Sequence, residues 1–350
     1  MGAQAGELEV KPARYDVVVV GGGPAGCAAA IATARVGARV LVLERDAEPR
    51  ERPGETLHPG IEPLLEQFGA APALREATLL RHDGHWVRVG KRRQFQAFGA
   101  GEGGPWRGFQ AERRVLDAGL RACAAKAGAR VRAGVGVAAI CRASDGRVTG
   151  VVSGEREVIP ARVVIDGSGG RHWLARQLGV GVRRLSPRYV ATYGYVVAEG
   201  RNVAPDEAEF ARDPDGWTWI APLSGGRWHW TRLSFAGMRM PRRWLPRPVR
   251  GLRPVAPSRG ADMTWRMARA LAGPGWFLAG DAAAVLDPAS SHGVLRAVLS
   301  GFRAGQMATE GADTASAAYD GWLRAGVERD AVALRASYAD WPGAGRLSAK

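Results

Sequence analysis

Three glycines, Gly21, Gly23 and Gly26, stand at GxGxxG spacing, and Glu44 follows 18 positions after the last of them. Each glycine meets a different physical need: Gly21 permits a tight turn, Gly23 lets the backbone approach a pyrophosphate, and Gly26 lets a helix pack closely on a strand. Pro24 and Ala25 open that helix, whose first N–H groups and positive dipole end then face the phosphates. A carboxylate at Glu44, with Arg45 beside it, accepts hydrogen bonds from adenosine ribose hydroxyls and repels a 2′-phosphate. The chemistry is dinucleotide binding. A second match to the spacing, Gly99, Gly101 and Gly104, is followed by Pro105 and no helix, so it reads as a loop.

These residues need a buried strand in front of them and a helix behind, and the sequence supplies both. YDVVVV is an apolar β-run, CAAAIATARVGA a small-residue helix and ARVLVLER a second strand, which together make one βαβ unit. Residues 51–70 are turn-rich and end in the helical IEPLLEQFGA; HWVRV and RQFQAF then alternate as strands do, and ERRVLDAGLRACAAKAGA is helical. Asp145-Gly146 marks a hairpin, and ARVVID is a further buried strand. From about Arg183 to Met240 the pattern is again β-like, with GWTWIAPLSGGRWHWTRLSF turning at Ser224-Gly225-Gly226. The Pro/Arg-rich stretch from Met240 to Gly260 reads as a loop or irregular crossing, WFLAGD as a last buried strand, and the remainder as mostly helical.

Among the 350 residues, 46% are hydrophobic and 24% charged, which is ordinary for a globular protein. No apolar run is long enough for a membrane span, and the N-terminus lacks the apolar core of a secretory signal. The three cysteines, Cys27, Cys123 and Cys141, are scattered and odd in number, which fits a reducing cytoplasm better than a disulfide framework. The net charge of +15 is almost wholly arginine: it reads as a biased composition on a solvated surface, or as a field that recruits an acidic partner. No nucleic-acid-binding motif accompanies it. His82 and His85 have metal-like spacing without a further ligand cluster, so they read as surface-loop residues and no metal is expected.

The second half carries its own chemistry. Asp281 follows Gly280 at the end of a buried strand, where its carboxylate can accept a hydrogen bond from a ribityl hydroxyl. Pro288 precedes Ser290-Ser291-His292, and Gly293 and Val294 then open an apolar helix. Together with Glu112-Arg113-Arg114-Val115-Leu116-Asp117 and the VVIDGSGG segment around Asp166, these motifs resemble, over most of residues 14–305, the flavoprotein superfamily of para-hydroxybenzoate hydroxylase, geranylgeranyl reductases and tryptophan halogenases. The resemblance implies an α/β fold: a discontinuous Rossmann-type FAD-binding domain (14–80, 108–182 and 270–335) carrying an inserted β-sheet substrate domain (81–107 and 183–269), with flexible ends at 1–13 and 340–350. It implies FAD as cofactor, Arg113 and Asp166 near the flavin, and the helix start at Gly293 aimed at its pyrimidine edge, where the dipole stabilises the anion of the reduced ring.

The same resemblance frames the reaction. GWTWIAP is close to the GWxWxIP motif of the halogenases, which places Trp217 as a candidate against the flavin. Halogenases depend on a lysine in the segment corresponding to LREATLLRHDGHW, where Arg81 stands nearest; an arginine stays protonated and does not replace it. RPGETLHPGIEPLLEQFG and LDPASSHGVLRA resemble flavoprotein maturases that oxygenate a tryptophan in a partner protein on the way to cysteine tryptophylquinone. The expected reaction is therefore monooxygenation of an electron-rich aromatic ring, with His292, Ser291, Pro288 and Trp217 as catalytic candidates, Glu55 and His58 as second-rank ones, and Glu55 and Pro288 also expected to meet the cofactor. His292 reads either as an acid–base group or as a helix cap. Electrons come from NAD(P)H or a partner flavin reductase. The rival readings are an alkene reductase of the geranylgeranyl type and a non-catalytic flavin-bound chaperone of maturation.

Overall fold

The computed structural model describes residues 15–198, 207–235, 240 and 241, 243–339 and 341. The terminal segments expected to be flexible lie outside the described residues, apart from Trp341.

The first sheet grows from Tyr15–Val20 (β1), whose side chains are buried on both faces. Continuous apolar runs of this kind suit a parallel strand covered by helices on both sides. Val40–Glu44 (β2) and Val158–Asp166 (β13) flank β1 in parallel, Arg130–Ala133 (β10) extends the sheet beyond β2, and Trp276–Leu278 (β23) extends it beyond β13. Val137–Arg142 (β11) and Val148–Ser153 (β12) join antiparallel to the start of β13, through the hairpin at Asp145-Gly146. Ala272–Gly273 (β22) pairs with β23.

Pro24–Ala34 (α1), Arg113–Lys126 (α4) and Gly293–Thr309 (α6) cover this sheet, and Ala312–Ala339 (α7) closes the chain along it. Helix α1 has almost no polar face, because it is sandwiched between sheet and α6. The two helices meet at backbone distance. A Cβ at Gly301 would lie well inside contact distance of the Ala25 carbonyl, and one at Gly305 would strike the Ala29 carbonyl and the Ala32 side chain. Thr33 Oγ1 donates to Ala29 O at 2.7 Å in the same seam.

The second sheet draws on distant parts of the chain. Val190–Val197 (β15), Arg227–Ser234 (β18), Gly216–Pro222 (β17) and Glu209–Asp213 (β16) run antiparallel, and Gly84–Val89 (β5) then pairs in parallel with β16 before turning into Arg92–Ala97 (β6). The hairpin at Ser224–Gly226 forms as expected, with Gly225 and Gly226 at positive φ. The Pro/Arg-rich crossing is more structured than a loop. Trp244, Leu245, Val249 and Leu252 pack over Trp228 and Trp230, and Arg253–Pro254 (β19) and Arg259–Asp262 (β20) pair with β15. Two buried indoles need a cover, and this segment is it.

Smaller ladders complete the frame. Thr56–Leu57 (β3) and Thr78–His82 (β4) pair with Gly108–Ala111 (β9), beside the short helices Ile61–Gln67 (α2) and Ala71–Ala77 (α3). Val182–Arg184 (β14), Arg266–Ala268 (β21) and Ala284–Val285 (β24) form another, preceded by Trp173–Gln177 (α5). Ala100–Gly101 (β7) and Gly104–Pro105 (β8) make a two-residue hairpin at the second glycine match, so no helix follows it. Among the described residues, no helix is long and apolar enough to cross a membrane.

The helix seam gives a paired test. Gly301→Ala forces α6 away from α1 and should lower stability by about 1–3 kcal/mol or more, whereas Gly321→Ala in α7, where a Cβ meets nothing within 4 Å, should raise it by up to about 1 kcal/mol. Urea midpoints of the two variants against the parent protein decide it; equal shifts would show that the seam is slack.

Candidate functional site

A cavity of about 730 Å³ opens between the two sheets and is lined by both. From the first sheet it takes Gly21, Gly23, Pro24, Ala25, Glu44 and Arg45, the residues expected to meet a dinucleotide. Gly21 sits at φ +100°, with its missing Cβ 2.7 Å from the Gly167 carbonyl oxygen, so no other residue fits this turn. At Gly23 a Cβ would meet nothing within 4 Å: the space beside it belongs to the cavity. No side chain caps the start of α1, which leaves its first N–H groups directed at that space. Gly26 is not in the lining; it serves packing, because a Cβ there would collide with the Gly21 carbonyl. Glu44 is buried and oriented by the N–H groups of Gly22 at 2.7 Å and Asp46 at 2.9 Å, with Arg121 at 3.6 Å. Each of its oxygens keeps acceptor capacity for a ribose hydroxyl.

The residues from the second half arrive on the same cavity. Asp281, Pro288, Ser291, Gly293 and Val294 line it, and Asp281 presents an exposed carboxylate. Arg113 is buried in the wall, paired with Asp117 at 3.1 Å and donating to the Pro53 carbonyl. Asp166 and Gly280 lie behind the surface. The Asp166 carboxylate accepts the N–H groups of Ser168 at 2.8 Å and Leu174 at 2.9 Å, and thereby shapes the loop that does line the cavity. Gly280, at φ +58°, lets the strand end approach Ala25 and Ala297. The open α1 terminus, the ribose-facing carboxylate and Asp281 fit an ADP half and a ribityl chain, so the residues present suit FAD.

The remaining wall is one face of the second sheet. Strand alternation puts Trp217 and Trp219 of β17, His229 and Thr231 of β18, and Tyr193 and Tyr195 of β15 on that face. Trp228 and Trp230 project to the opposite face, into the separate cluster described above. Trp217 is fully buried, and its indole N–H donates to Tyr338 Oη at 2.9 Å; the Tyr338 hydroxyl donates in turn to Asp287 Oδ2 at 2.8 Å. Asp287 also accepts from Ala289 N at 2.9 Å and Trp265 Nε1 at 3.3 Å. Burial pushes this carboxyl up to about 6, against the hydrogen bonds that favour its charged form. Glu55 lies across the wall: it accepts the Tyr195 hydroxyl and Gly54 N, with His229 Nδ1 3.7 Å away.

Other candidates are placed differently. His292 caps α6 through its carbonyl, which accepts Arg296 N at 2.8 Å, and its ring packs edge-on against His58 at 4.8 Å rather than lining the cavity. Burial lowers its pKa. Arg81 is held by Glu62 at 3.0 Å and lies over the Phe109 ring, away from the cavity lining. His82 and His85 are not surface-loop residues. They sit half-buried on β4 and β5 with their rings against Phe98, because the β4–β9 and β5–β6 ladders fold over them. Among the described residues no set of three or more His, Cys, Asp or Glu side chains forms a metal site.

The FAD binding domain model matches residues 14–232. The chain belongs to the FAD-binding flavoproteins. It is an FAD-dependent oxidoreductase of the family that includes reductases and halogenases. Menaquinone reductase of Mycolicibacterium smegmatis is 32% identical over 86% of this chain and 78% of its own length. A 1H-pyrrole-2-carbonyl-[peptidyl-carrier protein] brominase of Pseudoalteromonas luteoviolacea is 25% identical over 92% of this chain and 85% of its own length. The solved flavin-dependent brominase Bmp2 superposes with a TM-score of 0.81 at 22% identity, covering 94% of this chain and 88% of that one. As a flavoprotein the molecule has an α/β FAD-binding fold, as its motifs implied.

Sequence reasoning did not find Asp287, Tyr338, Tyr195 or His229. Asp287 had a signal, an acceptor one residue before a Pro-initiated turn, whereas Tyr338 is one aromatic among many in a tail helix.

Two outcomes follow for the flavoprotein. Glu44→Arg should release FAD, because it exchanges the ribose acceptor for a cation beside Arg121; FAD fluorescence of the denatured protein measures the loss. Asp287 has its folded pKa raised from 3.8 to about 6, so its contribution to stability is complete below pH 4 and is lost as pH rises through 6. The parent should lose about 3 kcal/mol over that window from this group, and Asp287→Asn should flatten the profile of urea midpoint against pH.

Proposed function

We propose that this flavoprotein is an oxygenase of an electron-rich aromatic ring carried by a peptide or protein. The observation that carries the reading is the cavity wall itself: Phe210, Trp217 and Trp219 line it, the Phe210 and Trp217 rings inclined at 41° to each other, with Glu55 and His229 at its polar edge. Bound FAD, once reduced, supplies the electrons and the dioxygen activation. The chain supplies orientation and proton handling. The half-buried Trp219 ring stacks a flat substrate, with the buried Trp217 behind it. The Glu55 carboxylate, already fixed by Tyr195 and Gly54, accepts a hydrogen bond from a ring N–H or O–H, with His229 Nδ1 3.7 Å away. The apolar wall keeps water from the reacting carbon.

Two observations support a macromolecular substrate. The brominase relative is named for a pyrrole carried on a peptidyl carrier protein, and the chain's +15 charge favours an acidic partner. Halogenation is disfavoured by Arg81, which is an arginine, is engaged by Glu62, and stands away from the cavity lining. Electrons come from NAD(P)H or a separate flavin reductase. A second reading, reduction of a quinone or an isoprenoid double bond, is favoured by the 32% identity to menaquinone reductase.

One experiment separates them. The reduced, FAD-loaded protein is given dioxygen and bromide with a tryptophan-bearing partner encoded beside it, and separately a menaquinone under anaerobic conditions. A partner heavier by one or two oxygen atoms, without bromine, is expected. Stoichiometric menaquinone reduction with an unmodified partner would replace this reading with the second.

A further inference from the structure

Trp219 lines the cavity, and its indole N–H is committed to a chain of hydrogen bonds that leaves the site. Trp219 Nε1 donates to Thr56 Oγ1 at 3.1 Å, and Thr56 Oγ1 donates to Gln110 Oε1 at 3.0 Å. Gln110 Nε2 lies 3.3 Å from His82 Nε2, and His82 Nδ1 lies 2.8 Å from the Gly84 carbonyl oxygen. Gln110 is 1% exposed, so neither end of its amide has water to fall back on.

The far end fixes the direction of every link. A carbonyl oxygen only accepts, so His82 carries its proton on Nδ1 and offers a lone pair on Nε2. That lone pair takes the Gln110 N–H, which turns the amide oxygen toward Thr56. Thr56 gives its single proton to that oxygen and keeps lone pairs for Trp219. We infer that Gln110 and His82 are positioning residues of the aromatic wall, holding the Trp219 indole through Thr56 while His82 is neutral. This inference rests on the proposed aromatic substrate only for what the wall binds.

Protonation of His82 sets an N–H against the Gln110 N–H. The amide must then turn over, and the Thr56 hydroxyl proton is left facing another donor. The chain loses a link, and a buried polar group loses its partner. Burial lowers the pKa of His82; the carbonyls of Gly84 and Phe109 and the Asp83 carboxylate act against burial, and Arg81 acts with it. His85 on β5 faces it as a second imidazole, and Asp83 is itself held by Arg107 at 3.0 Å. The switch from intact to broken chain therefore lies below the ordinary imidazole range.

The test uses the full FAD-loaded chain labelled with ¹⁵N-tryptophan, with the Trp219 indole resonance assigned by its loss in Trp219→Phe. In the parent this resonance should move as pH falls below the imidazole range, and indole binding, read from the visible spectrum of the bound flavin, should weaken in the same step. Gln110→Glu should invert the behaviour: a carboxylate accepts from Thr56 and from a protonated His82 Nε2, so its chain is intact at low pH and breaks as pH rises. His82→Gln should abolish the step. Gln110→Leu should weaken indole binding about tenfold at every pH. Retained FAD and an unshifted thermal midpoint certify that each variant is folded, and Gln110→Asn stands in for any that is not, because its shorter amide cannot span both partners and should lose the pH step. A Trp219 resonance indifferent to pH and to the Gln110 substitutions, or a Gln110→Glu variant titrating in the parent's direction, would overturn the inference. If the resonance behaves as expected but indole does not bind, the positioning chain stands and the aromatic substrate falls.

Discussion

The structure depends on backbone meeting backbone without side chains between. Gly21, Gly26 and Gly167 let the end of β1, the start of α1 and the loop after β13 share a space in which any Cβ would collide, and Gly301 and Gly305 extend the same contact from α1 to α6. Such approaches place helix N–H groups and strand-end carboxylates within reach of one extended ligand. Asp281 and Gly293 come from sequence positions far from Gly21, and they belong to the same cavity because α6 can lie directly on α1.

The aromatic wall is held by a second kind of constraint, buried polar groups that leave few alternatives. Trp217 and Trp219 each have their only polar atom tied elsewhere. Trp217 reaches Asp287 through Tyr338, and Trp219 reaches His82 through Thr56 and Gln110. The first tie links the second sheet to the loop that carries Pro288 and Ser291, with α7 as intermediary. The two indoles therefore show the cavity carbon surfaces, and the polar side chains of Glu55, His229 and Thr231 lie beside them.

Much of the dinucleotide half was legible because its requirements are local. A glycine at positive φ, a Pro at the first helical turn and an acidic strand end stand within thirty residues of each other, and their spacing is fixed by one βαβ unit. Placement of Asp281 and the α6 start was legible through resemblance and then through the buried run before them. The second sheet was legible only as alternation. Which indole faces which side follows from register with β15 and β16, and the partners of those indoles lie far off in sequence: Tyr338 is 121 residues from Trp217 and Thr56 is 163 from Trp219. His82 and His85 read as surface-loop residues in the sequence, and their partial burial comes from strands that carry no signal in the histidines themselves.

The order of strands in the first sheet has a bearing on how the chain is made. β1 needs β13 as one neighbour, and β23 completes the row only at Leu278. During synthesis from the N-terminus, the four consecutive valines of β1 must wait for some 140 further residues before their second edge is paired, and longer for α6 to close over α1. Contacts this distant in sequence slow folding and prolong the exposure of an apolar strand edge. A nascent chain of this protein therefore carries an unpaired apolar strand edge until β13 has emerged, and the walls of the FAD cavity come together only after α6 has left the ribosome.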